Sequence, residues 1–140
     1  IDVRCPREFS KGHFTKAINI PLFSDSEYEK IGKIYKKIGQ ESATEMGLKY
    51  ASKSSIGILE QISNLNSKNI IIYCARGGMR SKGFQLLLNN ARHHSFRIEK
   101  GYKSIRTHTL DSYKSKREVA IIAGSTGTGK TDLLHQMKKD

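Results

Sequence analysis

The chain has 140 residues, with 25 Lys and Arg against 13 Asp and Glu, giving a net charge of +12 and a pI near 9.8. That length holds one ordinary domain of roughly 100–150 residues and not two complete ones. Its longest apolar stretches, 69–75 and 119–124, fall far short of the ~20 residues of a membrane span. No basic segment followed by an apolar one opens the chain, so no secretory signal is read. Two cysteines, Cys5 and Cys74, cannot make a disulfide framework or a structural zinc site by themselves. The expected setting is therefore the reducing cytoplasm, without a membrane partner.

The hydrophobic share of 36% and the mean hydropathy of −0.54 still allow a core. The basic surplus points to a polyanionic partner such as nucleic acid or phosphorylated small molecules, the alternative being a solvated basic face. Basic clusters recur at 30–37, 92–103 and 114–117, which favours an extended footprint over a single arm. The sequence lacks an initiator Met, begins in what reads as a strand in progress and closes just after a helical pattern starts. It is expected to be part of a longer protein.

Residues 1–4 are expected to form a short strand ended by Cys5-Pro6, and 7–13 a helical turn stopped by Gly12. Residues 17–20 form a second strand before Pro21. From Ser24 the period becomes helical, with Ile31, Ile34, Tyr35 and Ile38 in phase, Ser24 or Asp25 as N-cap and Gly39 as stop. Separate helices are expected over 42–50 and around Ile56, Leu59 and Ile62. The run 69–73 reads as a central strand buried on both faces. A helix carrying Phe84, Leu87 and Leu88 follows the loop 74–80. A strand at 96–99 comes next, and 101–115 begins as a loop before turning helical. The last strand, 118–123, leads into a glycine-rich loop and the helical pattern 131–140. Alternating strands and helices give an α/β fold with a mainly parallel sheet flanked by helices. The domain boundary is expected within 112–117, dividing the chain into 1–115 and the beginning of a second domain at 116–140.

Two loops carry chemistry. Cys74-Ala75-Arg76-Gly77-Gly78-Met79-Arg80-Ser81 joins a buried strand to a helix. Backbone N–H groups converge in such a glycine-containing turn, and the helix adds its positive end, so the loop suits an anion. A cysteine there has its thiolate stabilised, and Arg76 and Arg80 are expected to lower its pKa further. Cys74 is therefore the expected nucleophile, with Arg76, Gly77, Gly78, Arg80 and Ser81 holding its substrate. Cys5, with no anion cradle around it, is read as structural. Gly124-Ser125-Thr126-Gly127-Thr128-Gly129-Lys130-Thr131 matches the phosphate-loop pattern in full between a strand and a helix. Gly124, Gly127, Gly129 and Lys130 would hold phosphates, and the Thr131 hydroxyl could take Mg²⁺. His93-His94 is not read as a metal site. Tyr28, Tyr35 and Tyr50 read as core or groove-lining residues.

Asp2-Val3-Arg4, Pro6, Glu8-Phe9, Gly12-His13 and Ala17-Ile18-Asn19-Ile20-Pro21 resemble the signature of rhodanese domains, α/β modules that carry sulfur on a loop cysteine. Tyr73-Cys74, Arg76 to Ser81, and Gly101-Tyr102-Lys103 with Arg106, all ahead of a phosphate loop, resemble the tRNA 2-selenouridine synthases. That family joins a rhodanese domain to a P-loop domain; Ala75 and Lys100 stand where it usually has Trp and Gly. The resemblance implies an enzyme that replaces sulfur by selenium at C2 of the wobble 2-thiouridine of tRNA. Cys74 would carry selenium from selenophosphate as a perselenide. The P-loop would bind geranyl diphosphate for an S-geranylated intermediate, and Lys103 and Arg106 would contact RNA. No tightly bound cofactor is implied. Three other readings stay open. The Cys-x5-Arg spacing is shared with phosphatases and arsenate reductases, although no acid stands out as proton donor. A rhodanese-fold sulfurtransferase or a non-catalytic basic RNA-binding module would also fit.

Overall fold

The computed structural model describes residues 1–137 apart from 66, 68, 115, 117 and 119. Its elements in chain order are α1 (Pro6–Ser10), α2 (Asp25–Lys37), α3 (Gln40–Ser63), β1 (Ile70–Ile72), α4 (Met79–Asn90), β2 (Ser95–Arg97), α5 (Gly101–Lys114) and α6 (Lys130–Met137). β1 and β2 pair in parallel, Ile71 opposite Phe96. Asp2 forms parallel bridges to both Asn19 and Tyr73. The extended segments thus lie side by side in the order 17–20, 1–3, 70–73, 95–97. The rows are fixed by Asp2 N–H to Ile18 O, Val3 N–H to Tyr73 O and Ile98 N–H to Ile72 O. The expected α/β architecture forms, a small parallel sheet with α2, α3 and α4 on the face of Ile70 and Ile72 and with Tyr102 of α5 stacked on Tyr73 on the other.

Burial explains which face is covered. Ile70 and Ile72 point into a core with Val3, Ile20, Leu22, Phe23, Ile58, Ile62, Phe84 and Leu88. Ile71, between them, is 56% exposed, and Phe96 beside it is 60% exposed. The central run is therefore covered on one face at this height rather than on both, because the helices that span it all pack on the side of Ile70 and Ile72.

Local sequence rules place the helices. Of the two expected N-caps, Ser24 and Asp25, it is Ser24 that caps α2, through a capping box with Glu27. The two helices expected within 40–63 are one, α3. Gly47 and Gly57 do not interrupt it: an added Cβ at Gly47 would meet the Phe23 ring at 3.5 Å, an ordinary contact, and one at Gly57 would meet nothing. Ser54 turns its hydroxyl back onto Tyr50 O at 3.1 Å instead of competing with the ladder. α5 begins at Gly101 itself and not after a loop. The strand expected at 118–123 is not formed among the described residues, and Ile121 is 86% exposed. A strand needs a neighbour to accept its backbone bonds; Val119 and residues 138–140 lie outside the described residues. No helix among them is long and apolar enough to cross a membrane.

A buried ion pair braces the inner segment 1–4 of the sheet beside the cysteine loop. Arg4 donates through Nε to both Asp2 oxygens at 3.0 Å, and through Nη2 to Asp2 at 2.6 Å and Gly12 O at 2.7 Å. Its guanidinium lies 4.1 Å from the Tyr102 ring centroid. Asp2 is fully buried. Arg4→Met leaves that carboxylate without its cation, and is expected to cost about 3–5 kcal/mol of unfolding free energy. A loss below about 1 kcal/mol in urea titration would show that the pair does not brace this segment.

Candidate functional site

The site is built where β1 ends and α4 starts. Cys74 follows Tyr73 directly, and Gly78 is the N-cap of α4. The Cys74 sulfur lies 3.2 Å from Ser81 Oγ, whose hydroxyl in turn donates to Gly78 O at 3.1 Å. Burial pushes the Cys74 thiol up. The Ser81 hydroxyl and N–H, the Arg76 N–H and the Arg80 charge outweigh this and hold it below its ordinary value. The thiolate is thus favoured inside the protein, which a buried cysteine in apolar surroundings would not show.

The loop carbonyls explain why amide groups face that sulfur. Cys74 O accepts from Tyr102 N–H at 2.9 Å and Ala75 O from Lys103 N–H at 3.0 Å. Gly77 O accepts from Arg97 Nη1 at 2.7 Å. In a trans peptide the following N–H points opposite to the carbonyl. The N–H groups of Ala75, Arg76 and Gly78 are therefore turned away from α5 and Arg97. The N-terminal amides of α5 are spent on holding the loop.

Glycine is required at two points of this contact. Gly101 has φ +59, and a Cβ there would lie 2.2 Å from Cys74 O. Gly77 has φ +67, and its Cβ would lie 2.7 Å from Lys100 N. Lys100 itself sits at φ +58, a left-handed position that suits the glycine of the resembled family. Gly101→Ala must push α5 off the loop. It is expected to cut Cys74 alkylation by iodoacetamide at neutral pH at least tenfold, on the scale of about one pKa unit, and an unchanged rate would refute this packing argument.

Arg80 is held differently from expectation. Nη1 and Nη2 both donate to Glu8, the second at 3.2 Å, and the guanidinium lies 4.8 Å from the Tyr28 ring centroid. Glu8 also accepts from Cys5 N–H and Sγ, each at 3.3 Å. Burial pushes the Glu8 carboxyl up, but the bonds and charge of Arg80 outweigh it and keep Glu8 below the usual carboxylate range. Arg80 therefore lowers the Cys74 pKa by its charge, as expected, while its terminal nitrogens are engaged by Glu8 rather than free for a donor oxyanion. Arg76 acts on Cys74 through its backbone N–H, not its guanidinium. Ser81, expected to hold substrate, is fully buried against the sulfur. Cys5 is buried, and burial pushes its thiol up to about 11, consistent with a structural role.

Beside the loop lies a pocket of about 400 Å³ lined by Arg4, Glu8, Lys11, Ala75, Arg76, Tyr102, Lys103 and Arg106 among others. The structure brings the expected Arg76, Lys103 and Arg106 together here and adds Lys11. None of these four cations is in an ion pair among the described residues. On the other side of Arg80, between α2 and α3, an apolar pocket of about 390 Å³ includes Phe23, Ile31, Tyr35, Leu48 and Met79. In the glycine-rich loop, Gly124, Gly127 and Gly129 take φ +156, +85 and +74. Lys130 Nζ donates to Gly124 O at 2.8 Å and to Ser125 O. Thr131 is exposed in the first turn of α6.

A sheet of this order with a cysteine loop at the end of its central segment defines a rhodanese-type module. Residues 1–108 match the family model "Rhodanese-like domain", and the chain belongs to that family. It is 41% identical over 144 residues to a tRNA 2-selenouridine synthase of Shewanella frigidimarina, covering 97% of this chain and 39% of the relative. A protein of the same name from Pseudomonas syringae pv. syringae is 36% identical over 145 residues, covering 99% of the chain and 39% of the relative. The chain thus spans about two fifths of the length of these relatives. A crystal structure of the N-terminal domain of a Clostridium difficile 630 protein described as ATP/GTP-binding is similar at TM-score 0.73 and 40% identity, over 78% of this chain and 86% of that one.

Proposed function

We propose that this chain is the cysteine-bearing part of a tRNA 2-selenouridine synthase, an enzyme that exchanges sulfur for selenium at C2 of wobble 2-thiouridine. The observation that carries the reading is the juxtaposition of a thiolate-stabilising loop with four unpaired cations around one pocket. Cys74 attacks selenophosphate, and the N–H groups of the loop receive the donor's oxyanion. Lys11, Arg76, Lys103 and Arg106 hold tRNA phosphates so that the target base reaches the loop. Residues 116–140 open a P-loop domain in which Gly124, Gly127, Gly129, Lys130 and Thr131 bind geranyl diphosphate, with Mg²⁺ on Thr131. Three glycines at positive φ and an ammonium already coordinated by loop oxygens suit that role. The tRNA sulfur is S-geranylated before exchange, and the apolar pocket beside Arg80 offers room for the chain. This work belongs in the cytoplasm, where tRNA is.

Expression of the full-length gene in cells lacking the activity is expected to restore 2-selenouridine in tRNA, read by nucleoside mass spectrometry. Its absence, with the protein folded and selenophosphate supplied, would overturn the assignment. A phosphatase acting on alcohol esters is disfavoured by Glu8: the acid beside the loop is held ionised by Arg80 and has no proton to give an alkoxide.

A further inference from the structure

We propose that Cys74 takes the phosphoryl group of selenophosphate, not its selenium, and so releases hydrogen selenide inside the site. This rests on the selenium-exchange reading above and specifies its bond-making step. A perselenide on Cys74 would require the sulfur to bond selenium while phosphorus departs with the Se–P electron pair as phosphite. Phosphorus would be reduced, and phosphite is a poor leaving group. Attack at phosphorus needs no redox change. The Cys74 thiolate forms an S–P bond, the Se–P bond breaks, and the electron pair leaves on selenium as HSe⁻. Selenide then adds to C2 of the S-alkylated thiouridine, and the alkyl thiol departs with the proton. Water finally cleaves the S–P bond, giving inorganic phosphate and the thiolate again.

Three features of the site fit a phosphoryl acceptor. The carbonyls of Cys74, Ala75 and Gly77 are bonded to Tyr102, Lys103 and Arg97. The N–H groups of Ala75, Arg76 and Gly78 are thereby turned the other way, as a cradle for phosphoryl oxygens demands. Arg97 is fixed for this contact at a cost, since its buried Nε has no partner. Lastly, Glu8 is the one acid lining the adjacent pocket, and both of its oxygens face Arg80. A site whose one carboxylic acid is held ionised expels an alkoxide poorly, but it can expel selenide, the conjugate base of a much stronger acid than an alcohol. The ionised acid thus selects the leaving group.

The test incubates the full-length enzyme with selenophosphate radiolabelled at phosphorus and analyses the Cys74 peptide, with Cys74→Ser as blank. A phosphoryl group and a selenium atom add nearly the same nominal mass, so the isotope pattern of selenium separates them. Label on Cys74 without a selenium pattern, selenide trapped by bromobimane and phosphate as final product are expected. A selenium pattern on Cys74, or phosphite in the ³¹P spectrum, overturns the proposal. Dinitrophenyl phosphate, whose leaving group needs no proton, is expected to phosphorylate Cys74 about a hundredfold faster or more than phenyl phosphate. Equal rates overturn the leaving-group argument. Phosphorylation by dinitrophenyl phosphate with selenophosphate left untouched supports phosphoryl transfer at Cys74 and refutes the selenium-exchange reading instead.

Discussion

The full-length enzyme carrying Cys74→Ser is expected to form no measurable 2-selenouridine in tRNA, a fall of about 10⁴-fold or more, while Cys5→Ser keeps most of the activity. The contrast follows from environment and not from residue type. Both cysteines are buried. Burial dominates at Cys5 and pushes its thiol up to about 11, leaving a neutral group tied to Glu8. At Cys74, Ser81, the Arg76 N–H and the Arg80 charge overcome burial and favour the thiolate. A serine hydroxyl in the same cradle stays protonated, because those contacts fall far short of ionising an alcohol, and the nucleophile is lost. Arg80→Lys is expected to reduce activity as well. A lysine keeps the charge but cannot offer Glu8 two nitrogens or stack flat on Tyr28. Selenouridine formation by Cys74→Ser above a tenth of the wild-type rate would remove Cys74 from the reaction.

What the sequence made legible was local. Ser24 with Glu27 three residues on is a capping box, and the structure forms it. The cysteine loop could be read as an anion cradle because its glycines, its arginines and the following helix are contiguous. Contacts across long separations were not legible. Glu8 and Arg80 are 72 residues apart, and nothing at either position announces the other. Glu8 stood out only as one of the residues that resemble the rhodanese signature, which did not tie it to the loop. Arg97 meets Gly77 from a strand whose sequence looks ordinary. The half-covered sheet was missed for a related reason. Ile70, Ile71 and Ile72 are identical residues, so a continuous apolar run hides the alternation that would have marked Ile71 as outward. The single α3 was missed because glycine propensity, about 1 kcal/mol each, yields where packing against Phe23 and the core needs an unbroken helix.

Binding of tRNA to the full-length enzyme is expected to weaken about fiftyfold between 50 and 200 mM salt through the pocket cations alone. Lys11, Arg76, Lys103 and Arg106 converge on one pocket and have no ion pairs to break before meeting phosphate. Each phosphate neutralised releases condensed counterions, with a slope of about −0.7 in log K against log salt for single strands, so four contacts give about −2.8. Further contacts from the rest of the +12 surface steepen this, to about three-hundredfold for six contacts at the same slope. The sharper test is the difference made by Lys103→Ala with Arg106→Ala. Removing two of the four contacts should flatten the slope by about 1.4. Because both side chains lie on the exposed face of α5 and hold no partner in the core, the double variant should fold and should still show the lowered Cys74 pKa. A slope unchanged within about 0.3, with weaker binding at every salt concentration, would mean that these residues act by shaping the pocket and not by meeting phosphate. A double variant indistinguishable from wild type in both slope and affinity would move the tRNA to another face of the protein.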